Sequence, residues 1–214
     1  MSSKRQEQAK IIEKLSKKKD KEHGMCHFRK NEIEKLLSMF NKYVENTTNK
    51  KKLDRLKFRD ILHDMFGMTD DMLMDRMFRA FDRDSDNYIN HDEWVLGLSV
   101  FLKGVLEEKT RYCFSVYDLN QDGYISREEI FQLLKQSLIK QPSEEDPDEG
   151  IKDLVELVLK KMDKDHDGRL SYADFEVSVK EEPLLLEAFG MCIPKPEKCQ
   201  TFLNLISDEY GMKY

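Results

Sequence analysis

An acidic loop recurs three times along this chain, and it constrains the fold more than any other feature of the sequence. The segments are DRDSDNYINHDEW from Asp82, DLNQDGYISREEI from Asp118 and DKDHDGRLSYADF from Asp163, with starts 36 and then 45 residues apart. A repeat of this size marks stacked supersecondary units, none of which can bury an apolar face alone. Apolar residues flank each loop at spacings of three and four, the stripe of an amphipathic helix. Met72, Leu73, Met77, Phe78 and Phe81 precede Asp82, and Trp94, Leu98, Phe101 and Leu102 follow it. Phe114, Val116 and Tyr117 lead into Asp118, with Ile130, Phe131, Leu133, Leu134 and Leu138 beyond it. Leu154, Val155, Val158, Leu159 and Met162 lead into Asp163, and Phe175 and Val179 follow. Thirty-six residues upstream of Asp82 the same frame persists around Asn46: Leu53 stands where Ile89, Ile125 and Leu170 stand, and Phe58 where Trp94, Ile130 and Phe175 stand. The pattern predicts four helix–loop–helix units.

Oxygen-bearing residues at loop positions 1, 3, 5, 7, 9 and 12 define the EF-hand calcium loop, with position 7 using its backbone carbonyl. Calcium is a hard cation that takes six to eight oxygens, so alternating carboxylates must curl around one point. In the first competent loop these positions are Asp82, Asp84, Asp86, Tyr88, Asn90 and Glu93. In the second they are Asp118, Asn120, Asp122, Tyr124, Ser126 and Glu129, and in the third Asp163, Asp165, Asp167, Arg169, Ser171 and Asp174. Position 6 requires a turn with positive φ, supplied by Gly123 and Gly168. Asn87 replaces it in the first, and Asn tolerates the left-handed region better than most residues. Glu93 and Glu129 are long enough to give both oxygens to one ion. Asp174 is a methylene shorter, so the Asp163 loop is expected to be weak for calcium or to hold magnesium, which prefers six-coordination.

The Asn46 loop is silent. It places Asn46, Thr48, Lys50, Lys52 and Lys57 at positions 1, 3, 5, 7 and 12, with ammonium groups where a dication should sit. Its expected role is structural: EF-hands pair through a short contact at position 8, so Leu53 should meet Ile89 and Ile125 should meet Leu170. The resulting expectation is an all-α fold of the EF-hand superfamily, in two lobes of paired units with C-terminal helices. Its parts are a basic leader (1–24), a first lobe (25–104, hands 31–66 and 70–103), a second lobe (105–180, hands 106–139 and 151–180, with an acidic linker at 141–150) and a C-terminal extension (181–214).

Charge divides the chain unevenly. Residues 1–57 carry 17 Lys and Arg against 8 Asp and Glu, a net of +9, so the remainder carries −15 of the total −6. The basic end suits an acidic partner surface, or is simply a solvated, partly disordered leader. Three divalent ions would bring −6 to about zero and relieve the repulsion among crowded carboxylates. No apolar run approaches the ~18 residues of a membrane span. MSSKRQEQAK lacks a signal-peptide core, and Ser2 stands where myristoylation needs glycine. A cytoplasmic protein without a lipid anchor is expected. Cys26, Cys113, Cys192 and Cys199 form no framework, Cys113 reads as a small core hydrophobe, and His23, Cys26 and His27 lack the fourth ligand of a zinc site.

No Gly-rich phosphate loop and no nucleophile with a partnered base is present, so the expectation is a regulator and not an enzyme. Sensors open on calcium and expose a Met-rich groove, whereas buffers barely change. Met65, Met68, Met72, Met74 and Met77 cluster beside the first competent loop, though such a stripe is more often plain core. The extension contains EEPLLLEAFG (181–190) and PEKCQTFLNLISDEYG, with Phe202, Leu203, Leu205 and Ile206 available for one face. It is suited either to lying in the protein's own groove in place of a target or to padding the second lobe.

A silent first hand followed by three competent ones resembles the neuronal calcium sensor and calcineurin-B-like branch. Within it, FGMTDDMLMDRMFRAFD (66–82), LEEKTRYCFSVYDLNQDGYIS (106–126), KQPSEEDPDEGIKDLVE (140–156) and EEPLLLEAFG (181–190) are similar to the calaxin family of ciliary sensors. That resemblance implies calcium-dependent binding to the outer-arm axonemal dynein heavy chain, contacts with tubulin and the docking complex, and control of microtubule sliding in cilia and flagella. Nucleic acid is not an expected partner. A cytosolic calcium buffer and a calcineurin-B-like regulatory subunit of an enzyme are the alternatives.

Overall fold

The computed structural model describes residues 2–17, 19–20, 24–45, 51–137 and 147–207. The order is α1 (Ser2–Ser16), a two-residue antiparallel pair β1 (Lys19–Asp20) and β2 (Gly24–Met25), α2 (Lys30–Val44), α3 (Arg55–Phe66), α4 (Asp71–Phe81) and α5 (His91–Leu98). α5 runs on into a π-helical turn over Ser99–Lys103. Then come α6 (Leu106–Tyr117), β3 (Tyr124–Ile125), α7 (Arg127–Ser137), α8 (Pro147–Met162), β4 (Leu170–Ser171), α9 (Tyr172–Glu181), a 3-10 turn (Pro183–Glu187) and α10 (Pro196–Ile206). This is the all-α, two-lobe EF-hand architecture.

Loop and exit helix are one local structure, because loop position 9 is the helix N-cap and position 12 its third residue. Asn90 Oδ1 accepts from the backbone N–H groups of Asp92 and Glu93, at 2.9 and 3.1 Å, while Glu93 Oε2 accepts from Asn90 N at 2.9 Å. Ser171 and Asp174 form the same reciprocal capping box. In the silent hand Asp54 still caps α3 through Lys57 N at 2.8 Å, but Lys57 cannot return the bond. The helix signal therefore outlasts the metal chemistry.

Both position-8 pairings are present. Leu53 and Ile89 exchange backbone hydrogen bonds of 2.8 and 2.9 Å, and Ile125 lies opposite Leu170 in the β3–β4 pair. All four side chains are buried. Phe58, Phe78, Phe81 and Phe101 pack ring against ring, edge-on or tilted, in the first lobe, and Phe114, Tyr117 and Phe175 in the second. Tyr112 of α6 joins the lobes, its ring 6.2 Å from Phe81 and 5.9 Å from Phe101.

Several expectations change at the chain's ends. The leader is not merely solvated: α1 packs on α2 and α5, buries Leu15 completely and pairs Lys14 with Asp92 at 2.7 Å. α8 begins at Pro147, so the last residues assigned to the linker are helical, while 141–146 lie outside the described residues. Its buried stripe is Ile151, Val155, Leu159 and Met162, and Leu154 turns outward because 151, 155, 159 and 162 already occupy one face.

The C-terminal extension divides between the two lobes. Its first half pads the second lobe: Phe189 stacks on Tyr117 with centroids 5.1 Å apart, and the Tyr117 hydroxyl donates to Gly190 O at 2.7 Å. Its second half crosses to the first lobe, where α10 lies against α2 and α3. Phe202 and Ile206 are buried there, and Phe202 stacks on Phe66 at 5.1 Å. Leu205, at the edge of that face, is 57% exposed.

Candidate metal centres

The three competent loops share one hydrogen-bond scaffold. The position-1 carboxylates of Asp82, Asp118 and Asp163 each accept the backbone N–H groups of positions 5 and 6, at 2.9–3.3 Å. Position 5 accepts from the N–H of position 7: Tyr88 N to Asp86 at 2.9 Å, Tyr124 N to Asp122 at 2.9 Å and Arg169 N to Asp167 at 3.1 Å. These bonds aim the carboxylates inward and hold the position-7 backbone beside them. Position 6 is left-handed throughout, with φ of 65° at Asn87 and 88° at Gly123 and Gly168, so Asn87 does serve in place of glycine. Position 4 is left-handed as well, at Ser85, Gln121 and His166, which the sequence did not indicate.

Oxygen donors converge in each loop. Asp82, Asp84 and Asp86 place carboxylate oxygens within 4.8 Å of one another, as do Asp163, Asp165 and Asp174. In the middle loop Asn120 contributes an amide between Asp118 and Asp122, and its Nδ2 donates to Asp122 at 2.9 Å. The carboxylates of positions 1 and 12 (Asp82, Glu93, Asp118, Glu129, Asp163 and Asp174) are buried. Buried, crowded, hard oxygens are the donor set calcium takes, and the three loops fit that ion. The side chains of Tyr88, Tyr124 and Arg169 are not part of the set; the Arg169 guanidinium lies 3.5 Å from the centre of the Tyr124 ring.

Position 12 distinguishes the loops. Glu93 Oε1 accepts from Arg83 N and Asp84 N at 2.9 and 3.2 Å, and Glu129 Oε1 reaches Asn120 N at 3.0 Å. Asp174 Oδ1 reaches only position 2, Lys164 N, at 3.1 Å, while Oδ2 takes Ser171 N and the Ser171 hydroxyl at 2.9 and 2.5 Å. Asp174→Glu is expected to strengthen calcium binding at this loop and to lower its preference for magnesium. One more charged oxygen ligand worth ~1.4 kcal/mol means about tenfold. Calcium titrations with and without magnesium that match the wild type would refute this.

Burial raises the carboxyl pKa values of Asp82, Glu93 and Asp118, with neighbouring loop carboxylates adding to it. At Asp163 burial also acts upward, but the N–H bonds from Gly168, His166 and Asp167 outweigh it and leave the carboxyl below its ordinary value. A divalent ion relieves the first kind of strain directly.

Residues 46–50, including Asn46, Thr48 and Lys50 of the silent loop, lie outside the described residues, as does His23. His27 binds Glu108 at 2.6 Å, so it is engaged between the lobes. Cys113 and Cys192 are buried with Sγ atoms 2.7 Å apart, a contact no spacing suggested. Of the methionines, Met68, Met74 and Met77 are core, yet together with Met72 and Met191 they also line a cavity of about 500 Å³ between α4 and the end of α7. No helix among the described residues is long and apolar enough to cross a membrane.

Fold and loops together define a paired EF-hand calcium-binding protein. Residues 49–95 and 107–179 each match a family described as an EF-hand domain pair. Calaxin of Xenopus laevis is 58% identical over 197 residues, covering 91% of this chain and 90% of that protein. Calaxin of Danio rerio is 60% identical over 179 residues, covering 82% and 85%. Calcineurin-B type 2 of Homo sapiens is 34% identical over 163 residues, covering 73% and 88%. The chain belongs to the calaxin family.

Proposed function

We propose that the protein is a calcium sensor of motile cilia and flagella that binds the outer-arm axonemal dynein heavy chain and adjusts microtubule sliding as calcium changes, with tubulin and the docking complex as further contacts. The observation that carries a sensor over a buffer is the seating of α10 on α2 and α3 through Phe202 and Ile206. A lobe already occupied by an amphipathic helix of its own chain has a surface suited to a partner helix, in the helix-in-groove mode. A buffer has no use for it. Membership in the calaxin family supports the ciliary setting and an axonemal location. Three sites of unequal chemistry, with magnesium held at the Asp163 loop at rest, suit a graded response.

Pull-down from axoneme extract with and without calcium is expected to retain dynein heavy chain in a calcium-dependent amount. Its absence under both conditions removes the motor reading. The similarity to calcineurin-B type 2 favours one second reading, a regulatory subunit of an enzyme; that reading requires co-purification with the enzyme from non-ciliated cells.

A further inference from the structure

The silent hand projects a cation onto a calcium ligand of its neighbour. Lys52 Nζ pairs with Asp86 Oδ2, and Lys52 directly precedes Leu53, which is held to Ile89 by two backbone hydrogen bonds. Asp86 lies three residues before Ile89, so the position-8 bridge sets the ammonium beside the loop. The other Asp86 oxygen accepts Tyr88 N at 2.9 Å, which leaves Oδ2 as the oxygen for which Lys52 and a metal ion compete. A second cation of the silent hand stands close by: Arg55 Nη2 is 3.4 Å from Asn87 Oδ1, while its Nη1 holds Asp75 at 2.6 Å over the Phe78 ring.

The corresponding oxygens of the other loops show what is particular here. Asp122 Oδ2 accepts from the neutral amide of Asn120, at 2.9 Å. Asp167 Oδ2 accepts from Arg169 Nε at 3.0 Å, a cation of its own loop. Arg169 of the hand paired with the Asp118 loop acts on Asp122 only through space, whereas among the described residues the Asp82 loop alone has its position-5 carboxylate in a direct ion pair with a cation from the partner hand.

We propose that Lys52 is an affinity-setting residue: a tethered counter-ion that calcium must displace from Asp86, so that the silent hand weakens and tunes the Asp82 site as well as bracing it. This rests on the Asp82 loop being a calcium site. Lys52 and Asp86 side chains are 32% and 31% exposed, so water screens the pair and its net worth is that of a surface ion pair. Lys52→Met keeps the aliphatic stem and removes the charge. It should tighten calcium binding at this loop about threefold to fivefold, the equilibrium equivalent of such a pair.

The test follows Trp94, which directly succeeds Glu93, by fluorescence during calcium titration, with calorimetry to count sites in a Glu129→Gln, Asp174→Asn background. Lys52→Met is expected to bind tighter, Lys52→Arg to stay within about twofold of the wild type, and the gain to shrink as salt screens the charge. In otherwise wild-type protein, the Asp118 loop should be unaffected by Lys52→Met. A background protein that binds no calcium at this loop removes the site itself, and the inference with it. A background that binds while Lys52→Met binds no tighter overturns the inference alone.

Discussion

Phe202→Ala is expected to release α10 from the first lobe and to lower the melting temperature markedly. Phe202 is buried against Phe66, and Ile206 one turn later is the other fully buried anchor of this short helix. Truncating a buried Phe costs ~3–5 kcal/mol, which in a domain of this size corresponds to roughly 6–20 °C if the loss is felt globally. The remaining anchors are weaker: beyond Ile206, Cys199 and Leu203 are only partly buried against the core, and the Lys35 ammonium donates to the Ser207 carbonyl at 2.7 Å. Undocking is therefore the cheaper response, and it uncovers Phe66 and its surroundings. A calcium-free Phe202→Ala protein should bind an apolar dye that the wild type excludes, and should capture an amphipathic partner helix more readily. Wild-type melting and no dye binding would show that α10 is not what covers the lobe.

Gly97→Ala probes the junction of α4 and α5, the two helices flanking the Asp82 loop. A Cβ at Gly97 would lie 2.3 Å from Phe81 Cδ1 and 2.4 Å from Cε1. The Phe81 ring cannot withdraw, since Phe58, Phe101 and Tyr112 close around it at 5.0, 5.9 and 6.2 Å. In an open helix interior, alanine would gain ~1 kcal/mol over glycine. Here overpacking, typically ~1–3 kcal/mol and at this overlap toward the upper end, wins. A fall in melting temperature of roughly 2–12 °C without calcium is expected. Sensor EF-hands swing their helices apart on binding calcium, which would separate Gly97 from Phe81. The destabilisation should then be smaller with calcium, and calcium affinity at the Asp82 loop correspondingly higher. Equal destabilisation in both conditions would mean that α4 and α5 hold this packing when the loop fills.

The two substitutions differ in what they ask of the molecule. Phe202 reports whether the lobe's surface is kept covered by the chain itself, and Gly97 whether calcium changes the lobe's interior. A sensor requires the second, since its helices open on calcium while a buffer's barely do.

What the sequence determined by itself was everything encoded within a loop and its adjoining helix turns. The ligand positions of Asp82, Asp118 and Asp163, the left-handed Asn87, the short reach of Asp174 and the Leu53–Ile89 and Ile125–Leu170 pairings all follow from spacing inside a single repeat or from its symmetry with the next. Such features are local, and the capping box that joins position 9 to position 12 makes loop and helix one motif. The tertiary structure alone decided which surface covers which. An apolar stripe such as Phe202 and Ile206 says that α10 must be buried, but not that it crosses to α2 and α3 instead of staying with the second lobe. The same holds for Leu15 of α1, for Met191 joining the α4 methionines, and for Cys113 meeting Cys192. Lys52 illustrates the limit most clearly: its position in the silent loop was legible, but its placement on Asp86 of the next hand depends on a bridge between residues 36 apart in sequence. Hydrophobic burial is non-directional, so a sequence states how much must be covered, and only the packed whole assigns the partner.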